Sequence, residues 1–204
     1  MPRAGLSRDA VVAAALEFVD SAGVDGFDRL TLAAIAERTG VAVPSLYKHV
    51  TGLDEVRRGV ALGAVQALRR SVDAEAVGRS GADALGAVAR GIRTFARQHP
   101  GWYAAVQVAP ALRAAAEASG GGWPERELAE ESDGLLASLA AVLRGFGLPA
   151  EREVDAVRLL RSAVHGFVAL ELGGGFGLPD DLDRSFEVVV AAAVAGVERL
   201  SESA

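Results

Sequence analysis

An all-helical fold follows from three features of the chain. Apolar residues recur at three- and four-residue spacing along most of the 204 positions, and alternation at period two is scarce. Clusters of Gly and Pro cut the pattern into helix-sized pieces. Half of the residues are hydrophobic, enough for a sizeable core. About nine helices are predicted, with no strand and no sequence repeat.

The first helix spans 7–22, with Ser7 as cap, Asp9 in the first turn and Gly23 as stop. Val12, Ala15, Leu16 and Val19 are its buried stripe, and Phe27 anchors the connector that follows. The stretch TLAAIAERTGVAVPSLYKHV, 31–50, reads as two short helices joined by a tight turn. Thr31 is placed to cap the first, and Leu32, Ile35 and Ala36 form its apolar face. Gly40 suits a left-handed stop, and Pro44 suits the first turn of the second helix. Leu46 and Val50 face inward there, leaving Ser45, Tyr47, Lys48 and His49 outward. This is a helix-turn-helix arrangement.

A fourth helix covers about 53–72 and opens with Asp54 and Glu55. Further helices are predicted over 82–99, then 102–119 as one or two short pieces around Pro110, and then 124–146. Two more follow, over 149–172 and from Asp180-Asp181 to about 200, with glycine runs at 120–122 and 173–175 as turns. Two domains are expected: a three-helix head over 1–55, with the fourth helix as a link, and a helical domain over 76–204.

The net charge of −6 argues mildly against nucleic acid binding over the whole surface but leaves room for a local basic face. There are no cysteines, which excludes disulfides and thiolate metal sites. No signal-like start is visible, and no apolar run approaches the ~20 residues that span a bilayer, so a cytoplasmic location is expected. The three histidines, His49, His99 and His165, lie in separate elements, and neither glycine run carries the Lys-Ser/Thr of a phosphate loop. No catalytic residue, metal site or cofactor is expected.

The first ~60 residues resemble the TetR family of bacterial transcriptional regulators. The match rests on the leading amphipathic helix, LTLAAIAERTGVAVPSLYKHV, and the acidic start at Asp54-Glu55. RSAVHGFVALELGGGFGLPDDLDRSFE, at 161–187, resembles the ligand-binding half of a TetR subgroup with a small-His-Gly segment on a long helix. The resemblance implies a homodimer that binds a palindromic DNA operator with two heads and leaves it when a small effector binds. It implies that Tyr47 and His49 contact phosphate and sugar. Lys48 can reach phosphate or a guanine edge, while Ser45 and Thr31 are small donors. The N-termini of the helices starting at Thr31, Pro44 and Leu53 offer free amides to phosphate, and Ala42 and Val43 suit thymine methyls. Arg3 and Arg8 would add charge from the N-terminal arm.

Departures from the family pattern matter. Ala33, Ala34 and Val43 stand where Arg, Lys or Gln is common, and Leu53 where lysine often opens the fourth helix. Residues 1–58 hold seven Lys/Arg against eight Asp/Glu, so a shallow salt dependence is expected.

Two apolar stripes, Val157, Leu160, Val164, Phe167 and Leu172, then Phe186, Val190, Ala193, Val194 and Val197, are candidates for a dimer seam. Ala163, Gly166, Ala192 and Gly196 would permit close approach; packing inside one chain is the alternative use of both stripes. For a mostly apolar effector the candidates are Phe95, Trp102, Tyr103, Val106, Leu139, Leu143, Arg161, His165 and Val168. A helical interaction adaptor, or a helical enzyme with a weakened head, is the rival class.

Overall fold

The computed structural model describes residues 6–117, 123–179 and 181–202, and every regular element among them is helical. Arg3, the turn at 120–122 and Asp180 lie outside the described residues. The helices are α1 (Arg8–Ser21), α2 (Leu32–Thr39), α3 (Val43–Leu46), α4 (Leu53–Ala76) and α5 (Gly81–Gln98), then α6 (Pro100–Glu117), α7 (Glu125–Arg144), α8 (Glu153–Leu172) and α9 (Leu182–Glu202). Single 3₁₀ turns at Val24–Gly26 and Ala150–Arg152 complete the set. No helix among the described residues is long and apolar enough to cross a membrane.

Packing divides the chain into two units, neither continuous in sequence. One holds residues up to 67 together with 99–132, and the other holds 68–98 together with 133 onward. Residues 99–132 join the first unit because α6 returns to pack on α1 and the 3₁₀ turn. Gly101 makes that return possible: a Cβ there would run into the backbone carbonyls of Val19 and Gly23. The side chains reinforce it. Trp102 donates its indole N–H to the Leu16 carbonyl at 2.9 Å and stacks on His99, whose Nδ1 lies 3.0 Å from the Asp20 carboxylate.

The first unit buries Val11, Ala15, Val19, Leu30, Ile35, Leu46, Val56 and Val60. Ser7 caps α1 by accepting from Ala10 N–H at 3.1 Å, as its position predicts. Phe27 is buried, so the connector is anchored where expected. Of the one or two pieces the sequence allows around Pro110, the structure has one continuous helix, α6. Pro110 offers no N–H to the preceding turn, but Tyr103, Ala105, Val106 and Ala109 are all buried, and that packing carries the helix across.

In the second unit, α8 packs on α9, and both pack on α5. Gly196 lets α9 approach α8, since a Cβ would sit 2.7 Å from Leu159 Cδ2. Arg93 of α5 is 7% exposed and ties the three helices together. Its Nε and Nη2 donate to Glu171 at 2.8 and 2.6 Å, and Nη2 lies 2.8 Å from Asp183. Its guanidinium also lies over the rings of Phe186 and Phe167, at 4.7 and 5.3 Å from their centroids.

Candidate nucleic-acid interface

The helix-turn-helix is set by backbone chemistry that the sequence announces. Thr31 Oγ1 accepts from Ala34 N–H at 3.1 Å, a cap worth about 1 kcal/mol. Gly40 ends α2 at φ +70, and Val41 N–H returns to the Ala36 carbonyl at 3.0 Å. Both are features of a left-handed helix stop, which only glycine adopts without strain. Ile35, Ala36, Leu46 and Val50 are buried beneath, so the angle between α2 and α3 is held by core contacts.

Helix α3 is shorter than the periodicity suggests. After Leu46 the bonding tightens to i→i+3, with Lys48 N–H to Ser45 O and His49 N–H to Leu46 O. Thr31, Ala42, Pro44, Tyr47 and Lys48 are exposed, while Val43, Ser45 and His49 are half-buried. Tyr47 is 57% exposed, the most open large hydrophobic side chain of the head among the described residues.

The head's cations divide by partner. Arg38 pairs with Glu17 at 3.4 Å and Arg58 with Glu125 at 2.7 Å. Arg57 lies over the Phe27 ring. Arg8, a candidate arm residue, is turned inward: its Nε is 3.1 Å from Glu55 and its guanidinium sits 4.8 Å from the Trp123 ring. Glu55 is 4% exposed and accepts from both the Thr51 N–H and hydroxyl at 2.7 Å, which secures the start of α4. Lys48 and Arg29 are left exposed and without an ion pair among the described residues. Arg29 stands two residues before the Thr31 cap, just ahead of the helix-turn-helix.

The effector candidates are spread over both units. Trp102, Tyr103 and Val106 belong to the first, with Trp102 committed to α1 as described. Phe95, Leu139, Leu143 and Val168 are buried in the second. Arg161 and His165 lie on the exposed side of α8. The His165 pKa is lowered, first by partial burial of the ring and then by the charge of Arg161. A lowered folded-state pKa makes protonation destabilising, so this cost is absent above about pH 6.5 and grows as pH falls below it. The expected result is that His165→Gln flattens the acid-side loss of stability. Parallel denaturation curves at pH 7.5 and 5.5 check it, and an unchanged difference from the parent would refute it.

The seam candidates divide in a similar way. Leu160, Val164, Phe167, Phe186, Val190, Ala193 and Val197 are buried within the chain, Val157, Leu172 and Val194 partly so. The fully buried ones are covered by their own chain, while Val157 borders the cleft beside α7. The outward faces carry Ser162, Gly166, Ala169 and Leu170 on α8, and Val188, Ala192 and Ala195 on α9.

Comparison with known proteins agrees with this head and helical body. Residues 19–51 match a family model described as bacterial regulatory proteins, tetR family, and residues 85–193 match the tetracyclin repressor-like C-terminal domain. The HTH-type transcriptional regulator Rv0681 of Mycobacterium tuberculosis is 36% identical over 198 residues, covering 96% of this chain and 84% of that protein. Among solved structures, the TetR regulator SCO7222 of Streptomyces coelicolor superposes with a TM-score of 0.65 at 23% identity, covering 96% of this chain and 99% of that one. TetR-Q116A of Acinetobacter baumannii, solved with minocycline, gives 0.64 at 26% identity over 96% of this chain and 98% of that one. With a helix-turn-helix head in place and both halves matched, the chain belongs to the tetR family of bacterial regulatory proteins and is a DNA-binding transcriptional regulator.

Proposed function

We propose that the protein is a repressor that binds a palindromic operator as a homodimer and is released by a small, mostly apolar effector. The observation that carries the DNA reading is the exposed set Thr31, Tyr47 and Lys48, with half-buried Ser45 beside them, on an α2–α3 pair braced by its core. Tyr47 and His49 supply hydroxyl and imidazole donors to phosphate and sugar, with Lys48 and Arg29 as the available cations. Pro44, Ala42 and Val43 bring α3 close to the groove, where the apolar groups meet thymine methyls.

Dimerisation is supported by the unpartnered small and apolar residues of α8 and α9. Gly166, Ala169, Ala192 and Ala195 would let two helix pairs approach closely, and Val188 and Leu170, at 66% and 50% exposure, would gain cover. Two heads then meet successive major grooves about 34–36 Å apart, or somewhat more on deformed DNA.

Since Arg8 and Arg38 are paired with carboxylates of the head and Arg58 with Glu125 of α7, few cations remain for phosphate. The expected result is a measurable mobility shift of DNA flanking the protein's own gene at 50 mM salt, with a shallow salt dependence up to 300 mM. A slope equivalent to eight or more phosphates would refute the account of the cations. Lys48→Ala is expected to weaken binding across sequences and flatten the slope by about one unit. No shift at low salt would remove the operator reading itself.

A further inference from the structure

We propose that the groove between α7 and α8 binds an amphipathic carboxylate, its head on Arg158 and Arg161 and its apolar body along α7. The groove encloses about 420 Å³, within the range of small-molecule sites. Its walls are Leu136, Ala137 and Ala140 from α7 and Val154 and Val157 from α8. Leu136 and Val154 are 41% and 55% exposed, which is uncovered apolar surface on both sides of one cleft.

Charge selects the occupant. Arg158 and Arg161 line the same groove, are exposed, and make no ion pair among the described residues. Being unpaired does not by itself set these two apart: Arg93, Arg90 and Arg152 of this unit find carboxylates, but the exposed Arg70 and Arg144 do not among the described residues. What distinguishes Arg158 and Arg161 is that both border one apolar cleft. Two unpaired guanidiniums beside apolar walls match a carboxylate with a hydrocarbon tail. The groove's one carboxylate, Glu153, lies eight residues from Arg161 on the same helix, about 12 Å along the axis. An anionic head is therefore favoured at the Arg161 end, with the tail directed toward Val157 and Val154. A site on this outer groove is separate from the unit's buried core at Phe95, Leu139 and Val168, and its occupancy does not rest on the effector reading.

Calorimetric titration of the full chain with sodium dodecanoate tests the proposal. Saturable binding is expected. Decanoate, with two fewer methylenes, should bind roughly tenfold more weakly, and dodecyltrimethylammonium should not bind. The Arg158→Gln/Arg161→Gln variant should weaken dodecanoate binding about tenfold or more. Ala137→Phe fills the groove from an exposed position, so it should block binding without disturbing the core. Circular dichroism establishes that each variant is folded. No saturable binding, equal binding of the two head groups, or binding untouched by both variants would overturn the proposal. So would a change of mass by light scattering in these variants with affinity intact, since a second copy would then be what covers the groove. Binding without release of operator DNA supports the groove and removes only dodecanoate as an effector.

Discussion

Gly101→Ala is expected to destabilise the first unit by about 3 kcal/mol, near the upper end for forcing extra volume into a packed site. The added Cβ would meet Val19 C and Gly23 O at 2.8 Å, and the Val19 oxygen closer still. These are backbone atoms, so no side chain can rotate away. The space is all that matters, since Gly101 sits in the first turn of α6 without a left-handed φ. Trp102 and Trp123 are the chain's two tryptophans and both belong to this unit, so their fluorescence during denaturation follows its unfolding. A midpoint within about 0.5 kcal/mol of the parent would mean that α6 does not close on α1 as tightly as described.

Arg93→Met is expected to destabilise the second unit by about 3–5 kcal/mol, the cost of leaving a buried partner charge uncompensated. Glu171 has a side chain only 12% exposed and would lose both of its guanidinium bonds, whereas Asp183 is mostly open and would find water. Glu171 draws the Arg93 pKa up first through its hydrogen bonds, against the opposing effect of burial, so the arginine stays charged throughout the accessible range. Arg93→Lys keeps the charge but loses the two-pronged geometry, and an intermediate loss is expected. Arg93→Met/Glu171→Met should recover part of the stability by removing both charges. Far-UV circular dichroism against urea measures all three. If the double variant were no more stable than Arg93→Met, lost packing and not the stranded carboxylate would be the cause.

The head was legible in the sequence almost residue by residue. Caps, left-handed glycines and helix-starting prolines act within four or five positions, so Ser7, Thr31, Gly40 and Pro44 could be assigned without knowing what surrounds them. Apolar spacing likewise located most helices to within a few residues. It left open whether Pro110 divides the helix over 102–119, and the buried neighbours carry α6 through it in one piece.

Pairing at a distance was not legible. Arg8 reads as an arm cation, but Glu55 and Trp123, far along the chain, turn it inward. Arg93 and Glu171 are 78 positions apart, and nothing local marks them as partners. The stripes of α8 and α9 show the limit most clearly. Periodicity proves that a helix has an apolar face; it cannot say whether α5 or a second chain covers it. By itself the sequence determined the family, the helical class and the reading head, because those depend on short-range backbone chemistry. The tertiary structure alone decided which cations remain available to DNA, which faces of α8 and α9 are left open, and where an unpaired pair of arginines borders an apolar groove. Each of those depends on which distant side chains meet, and hence on the packed fold.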